Sequence, residues 1–321
     1  MRKSILLFTT MALLILGACD TTSEPRSDVA NSQDIGVTFP DLQTTEDTIH
    51  SPEQPEGYYR ACSCEEGEPG YQQFTEDHAP AGICLCGALN ERELPDLSGR
   101  WAQYMVQTSS IKMPIFGDIS DTEVRSLLLV NIEQEGIILS LTVTTCAIEM
   151  FSPDAIVETI MPDVFVASLE TATRPGLLIP RQGKASFHLP PFYELRGVKL
   201  ENPEEDPLPT DPEAPSVIDQ DNDGFPGMTI RLTGALSGDL YIVQKSWSQM
   251  QSVEISEDRV TGHVVWEEQQ EHLGSTNEVL RSVAVESWVK EDPSAHTFHM
   301  VRAPNATCET IVQNGATWFG P

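Results

Sequence analysis

Positive charge is scarce in this 321-residue chain: nineteen Lys and Arg stand against forty-nine Asp and Glu, a formal net charge of −30. A field of that sign repels polyanions, and no Lys/Arg cluster with interleaved aromatic residues offsets it locally. Nucleic acid is therefore excluded as a partner, whereas cations are not. Long apolar runs are scarce too. Beyond residue 19 none approaches the roughly 20 residues of a spanning helix, so no helix that crosses a membrane is expected there. Catalytic signatures are missing: the chain has no Gly-x-Ser-x-Gly elbow, no His-Glu-x-x-His and no phosphate-cradling glycine loop. His296 and His299, three apart, face opposite sides of an expected strand, so they are expected to be solvated or packed rather than to ligate one ion. Carboxylates are plentiful, but no spacing selects an acid/base pair among them, so no catalytic residue is assigned.

The one long apolar stretch opens the chain. Arg2 and Lys3 precede an apolar run from Ile5 to Leu16, which leads into Leu16-Gly17-Ala18-Cys19. A basic start before a run too short to span a bilayer comfortably reads as a secretory signal. Leu three positions before Cys, with small Gly and Ala between, resembles the lipobox of bacterial lipoproteins. The resemblance implies that residues 1–18 are a cleaved signal peptide and that Cys19 is lipidated, tying the chain to a membrane through its acyl groups. It also implies an exported location on the periplasmic or cell-surface side, with an outer membrane favoured. Removing Arg2 and Lys3 leaves seventeen basic residues and a net charge of −32. Residues 19–57 then read as a disordered acidic tether. Asp20 to Gly57 holds nine Asp/Glu and one Arg, too little apolar surface to offset the entropy of ordering.

Residues 58–90 form a cysteine-rich module, in which Cys62-x-Cys64 and Cys84-x-Cys86 are nineteen residues apart. Cysteines at i and i+2 share one face of a strand, so two such pairs on facing strands suit two disulfides. Four thiolates also suit zinc, but zinc sites prefer two residues between paired cysteines, and export favours oxidation. Disulfides are expected, with the connectivity open. The pattern, with Gly67, Gly70 and Gln72 between the pairs, is similar to short Cys/Gly modules in lipoproteins of predatory and social Gram-negative bacteria. It departs from them at Phe74, near the place of a further Cys. The resemblance implies a stalk or recognition knob. Cys146 and Cys308 remain, and exported thiols oxidise, so they are expected to join. The closed loop of 163 residues is worth about 5 kcal/mol by chain entropy.

Residues 97–321 carry a period of two. Ile137, Leu139, Leu141 and Val143 alternate with Ile138, Ser140, Thr142 and Thr144, and similar alternation recurs at Ile230/Leu232, Leu240/Ile242, Val260/Gly262/Val264/Trp266, Val283/Val285 and Phe298/Met300. Only Pro162 to Leu169 reads as a helix. The expected fold is all-β, an antiparallel barrel or a sandwich. Gly99-Arg100-Trp101 in the first strand and Arg302 in the last resemble the lipocalin and wider calycin family. That likeness implies a barrel closed at one end by Arg302 lying over the Trp101 indole, with a mouth open to a small apolar ligand. The roughly 200 residues between the two marks exceed a usual eight-stranded barrel.

Residues 201–228 break the alternation. Nine carboxylates, no Lys or Arg, and Pro203, Pro207, Pro209, Pro212 and Pro215 between Glu201 and Asp223 make a surface excursion, not a strand. It ends in Asp219-Gln220-Asp221-Asn222-Asp223-Gly224, the first half of an EF-hand-type loop for Ca2+, with Phe225 offering its carbonyl at position seven. Position twelve is Ile230 where an EF-hand has Glu, so the shell needs oxygens from elsewhere, such as Asp211, Glu213 or water. The stretch from Phe225 to Thr229 resembles loop endings in lipoproteins of myxobacterial type, which implies an ion clamped at the start of a strand. The functional expectation is a lipid-anchored envelope protein with a calcium-stabilised β-domain and a non-catalytic binding role. The alternatives are a calcium-dependent adhesin that binds a surface glycan and a hydrolase with an unrecognised site.

Overall fold

Alternating apolar and polar residues give strands that bury one face, and here the strands pair until the sheet meets itself. The computed structural model describes residues 57–64, 67–75, 77–86, 94–112, 119–153, 156–181, 184–282 and 286–319. The signal at 1–18, Cys19, nearly all of the tether and the Val283/Val285 pair lie outside the described residues. The strands of the main sheet are β3 (Gly99–Lys112), β4 (Ile119–Glu135), β5 (Ile138–Phe151), β7 (Ala172–Arg181), β8 (Lys184–Arg196), β10 (Gly238–Ile255), β11 (Arg259–Ser275) and β13 (Thr297–Arg302). Each pairs antiparallel with the next, β11 pairs with β13, and β13 returns to β3, so eight strands close a ring. The architecture is all-β and antiparallel.

Three short strands extend this ring. β9 (Met228–Gly234) forms a hairpin with the first residues of β10 and is itself paired by β6 (Val157–Ile160), while β12 (Glu286–Val289) pairs with the far end of β3. The first five residues of β10, Gly238–Ile242, therefore pair with β9, and its middle, from Gln244 to Gln251, pairs with β8. That switch divides the interior. One apolar cluster inside the ring contains Trp101, Leu139, Leu141, Phe187, Trp266 and Phe298; a second lies under the β6–β9–β10 extension, around Phe165, Met228, Ile230, Leu232 and Ile242. The alternation expected from Ile137 onward is seen in the burial of Leu139 and Leu141 against the exposed Thr142.

The helices are α1 (Asp163–Ser168), α2 (Glu278–Ser282) and α3 (Cys308–Phe319). α1 matches the helix expected from Pro162 to Leu169, with Pro162 at its N-cap. α3 corrects the expectation that no other segment is helical. Ile311, Gly315 and Phe319 recur at i, i+4 and i+8, and all three are buried; Ile311 and Phe319 form a third cluster with Tyr104, Leu127 and Ala147 on the outer side of β3, β4 and β5. Cys146 on β5 and Cys308 at the first turn of α3 are joined by a disulfide, which fixes the helix to that face.

The cysteine-rich module contains β1 (Tyr58–Ser63) and β2 (Pro69–Phe74), an antiparallel pair. Cys62 joins Cys84, and Cys64 joins Cys86. This connectivity needs the second Cys-x-Cys to run alongside β2, where Tyr71 and Leu85 exchange backbone hydrogen bonds of 3.2 and 2.8 Å. The module is packed on the ring: Tyr59 meets His188 of β8 edge to face, with ring centroids 5.1 Å apart. The acidic excursion forms no strand among its described residues. It returns across the outer face of the ring, where the buried Lys245 ammonium donates to the Asp206 carbonyl at 2.8 Å.

Candidate functional site

The aspartate loop sits between the excursion and β9. Asn222, at φ 58, and Gly224, at φ 89, occupy left-handed backbone that lets the chain fold back on itself. At Gly227, φ 89, a Cβ would lie 2.2 Å from the Ile242 carbonyl oxygen, so only glycine lets the loop close against β10. Gln220 N–H donates to the Gly227 carbonyl at 3.0 Å, and Gln220 Oε1 accepts from Gly197 N–H at 2.6 Å, tying the loop to the end of β8.

Asp219, Asp221 and Asp223 each turn a carboxylate oxygen toward a common centre, all within 4.8 Å of one another, a group that can hold a metal ion. Both Asp219 oxygens accept from the loop backbone, Asp223 N–H at 3.1 Å and Gly224 N–H at 3.0 Å. Asp223 accepts from Phe225 N–H at 2.9 Å and the Thr229 hydroxyl at 2.5 Å. Asp221 is only 9% exposed. Its Oδ2 accepts from Thr229 N–H at 3.0 Å, but its Oδ1 is buried with no hydrogen-bond partner. Burial pushes the Asp221 carboxyl above its ordinary pKa; the Thr229 N–H pulls the other way, and the charges of Asp223 and Asp219 add to the rise. A buried carboxylate oxygen without a donor is an expensive group, and a divalent cation would satisfy it and the crowding of its neighbours together.

Phe225 stands at position seven, and its ring stacks on Tyr241 of β10 with centroids 4.3 Å apart and planes 7° apart. That stacking fixes the backbone whose carbonyl the sequence pattern offers to an ion. Asp211 and Glu213 do not join the cluster. Asp211 Oδ1 instead accepts from Glu213 N–H at 3.0 Å, an Asx turn within the excursion.

At the opposite mark of the sequence, Trp101 is fully buried, and its Nε1–H donates to the Leu97 carbonyl at 2.8 Å. The Arg302 guanidinium lies over the indole, 4.6 Å from the ring centroid. It also donates to the carbonyls of Ser98, Asp96 and Glu257, which links the start of β3 to the turn between β10 and β11. Gly99, at φ 110, admits the chain beneath that guanidinium.

Inside the ring, between the two interior clusters, is a cavity of about 100 Å³. Met150, Met161, Met228 and Ile242 form an apolar wall; Arg196, Gln244 and Glu268 form a polar one. Burial pushes the Glu268 carboxyl up, opposed by Arg196 and by a hydrogen bond with Gln244. Small-molecule pockets usually enclose about 300–1,000 Å³. This cavity is therefore smaller than such pockets usually are.

His296, left unassigned by spacing, is a structural residue. Its Nδ1 accepts from Trp266 Nε1–H at 3.0 Å and from Thr108 N–H at 3.2 Å, while Nε2–H donates to the Lys290 carbonyl at 2.7 Å. His299 lies on β13, apart from it.

The three disulfides fit an oxidising extracellular or periplasmic compartment. Among the described residues no helix is long and apolar enough to cross a membrane. In comparison with known proteins, the chain matches no family model, no curated protein and no solved structure.

Proposed function

We propose that the protein is a lipid-anchored envelope protein whose β-domain is clamped by Ca2+ and serves in binding rather than catalysis. The observation that carries the metal half of this reading is the buried, unpartnered Asp221 Oδ1 beside two further carboxylates. Hard, all-oxygen ligands at alternate positions favour Ca2+ over softer transition metals. The ion would sit where the excursion becomes β9, neutralising the loop and fixing the register of the β9–β10 hairpin. The anchoring half rests on the lipobox-like Leu16-Gly17-Ala18-Cys19, supported by the oxidised cysteines of the folded part. The Trp101/Arg302 stack at one end of a ring of eight strands supports the likeness to lipocalins.

Calorimetry and thermal melts of the full chain in detergent test the metal half. At a hundredfold excess over Kd, Ca2+ is expected to add about 2.7 kcal/mol, raising Tm by several degrees. Asp221→Asn is expected to abolish both the heat and the shift while keeping the fold. Absence of a calcium-dependent heat in the wild-type chain overturns the reading.

A further inference from the structure

A cleft of about 550 Å³ opens on the outer face of the ring, several times the cavity of about 100 Å³ described inside it. Its floor is a row across three strands. Tyr193 of β8 is the register partner of Trp247 on β10, and Trp247 is the partner of Glu267 on β11. Trp247 Nε1–H donates to Glu267 Oε2 at 3.2 Å, leaving the second carboxylate oxygen for another donor. Among the described residues no aromatic ring or guanidinium stacks on Trp247 or Tyr193; the neighbouring Arg174 covers Phe192, and Arg60 covers Tyr58.

The walls come from elsewhere in the chain. Tyr58 and His78 of the cysteine-rich module face Glu204 of the excursion, with Tyr58 Oη 2.8 Å from His78 Nδ1 and His78 Nε2 3.2 Å from Glu204 Oε1. The ionisable side chains that face the cleft are the acidic Asp77, Glu204 and Glu267 against Lys245 and His78, and the Lys245 ammonium is held by the Asp206 carbonyl. Burial raises the Tyr193 pKa, and Glu204 and Glu267 raise it further, so the field of these carboxylates reaches the aromatic floor. Electron-rich ring faces beside carboxylates attract organic cations, and a rim of this sign on a chain of net charge −30 repels phosphate, sulfate and carboxylate ligands.

We propose that this cleft binds an organic ammonium ion, with Trp247 and Tyr193 supplying the ring faces and Glu267 and Glu204 the counter-charges. The site lies apart from the aspartate loop and does not require an ion there. A neutral saccharide would use the same rings without needing the carboxylates, which separates the two experimentally.

The test is a choline titration of the 15N-labelled full chain, read at the indole N–H signals. The chain has five tryptophans, and the Trp247 signal is assigned by its loss in Trp247→Phe. Choline is expected to shift the Trp247 signal saturably, and its neutral isostere 3,3-dimethylbutan-1-ol to bind at least about fivefold more weakly. Glu267→Gln is expected to weaken choline by a similar factor, and Asp221→Asn to leave it unchanged, so failure of the metal reading leaves this result standing. An absent or unsaturable shift, equal binding of the neutral isostere, or a response to methyl glucoside in place of choline overturns the proposal. Should Trp247→Phe unfold, the isostere comparison and Glu267→Gln decide it alone.

Discussion

His296 shows how a single side chain can carry an acid limit for the whole fold. Its neutral ring accepts two N–H groups at Nδ1, so protonating that nitrogen would set three donors against one another. Burial, its largest influence, holds its pKa below the ordinary histidine range, and the same direction holds at His272 and His299. With the folded pKa depressed, the stability from the neutral ring is fully present above the ordinary histidine pKa and is lost as pH falls through the folded one. Urea melts are therefore expected to show stability declining below about pH 6.5, with a shallower decline in His296→Gln. At neutral pH His296→Leu strands the Trp266 and Thr108 donors and is expected to cost about 3 kcal/mol. Arg302→Ala removes three carbonyl partners and the cation over Trp101, an expected loss of about 3 kcal/mol in the same assay. Arg302→Lys is expected to recover less than half, because a point charge cannot reach all three carbonyls.

Among the elements, α3 depends on its covalent staple. Gly315 and the β-branched Thr310, Ile311, Val312 and Thr317 are weak helix formers, so packing of Ile311 and Phe319 on the ring and the Cys146–Cys308 bond must hold the segment. The double change Cys146→Ser with Cys308→Ser removes up to about 5 kcal/mol of chain-entropy stabilisation. Hydrogen exchange is expected to show α3 losing protection before the strands beneath it. Weak propensity is also why α3 was not legible in the sequence, although the 311/315/319 spacing was a usable signal. The strands were legible wherever one face was apolar, as from Ile137 to Val143, because period two survives any tertiary context. The aspartate loop was legible because its three carboxylates lie within five consecutive residues. The cleft was not: Tyr58, Glu204 and Trp247 meet only when the ring closes and both the cysteine-rich module and the excursion fold onto it.

At the scale of the whole molecule, net charge sets the working conditions. A net charge of −30 keeps copies apart at low salt and concentrates cations near the surface. If Cys19 carries the acyl chains, Cys19→Ser is expected to abolish palmitate incorporation and move the protein from the membrane to the soluble fraction, with melting of the folded part unchanged. Retention of label in that variant would remove the lipobox reading and leave the readings of the aspartate loop and the outer cleft untouched.

Ring closure also bears on how the chain tolerates its own neighbours. Each of the eight ring strands is paired on both sides over part of its length, and the flanking β6 and β12 are four residues each. Segments that short offer little template for a foreign strand. Where β13 bridges β11 to β3, the sheet offers no free edge that another chain could extend.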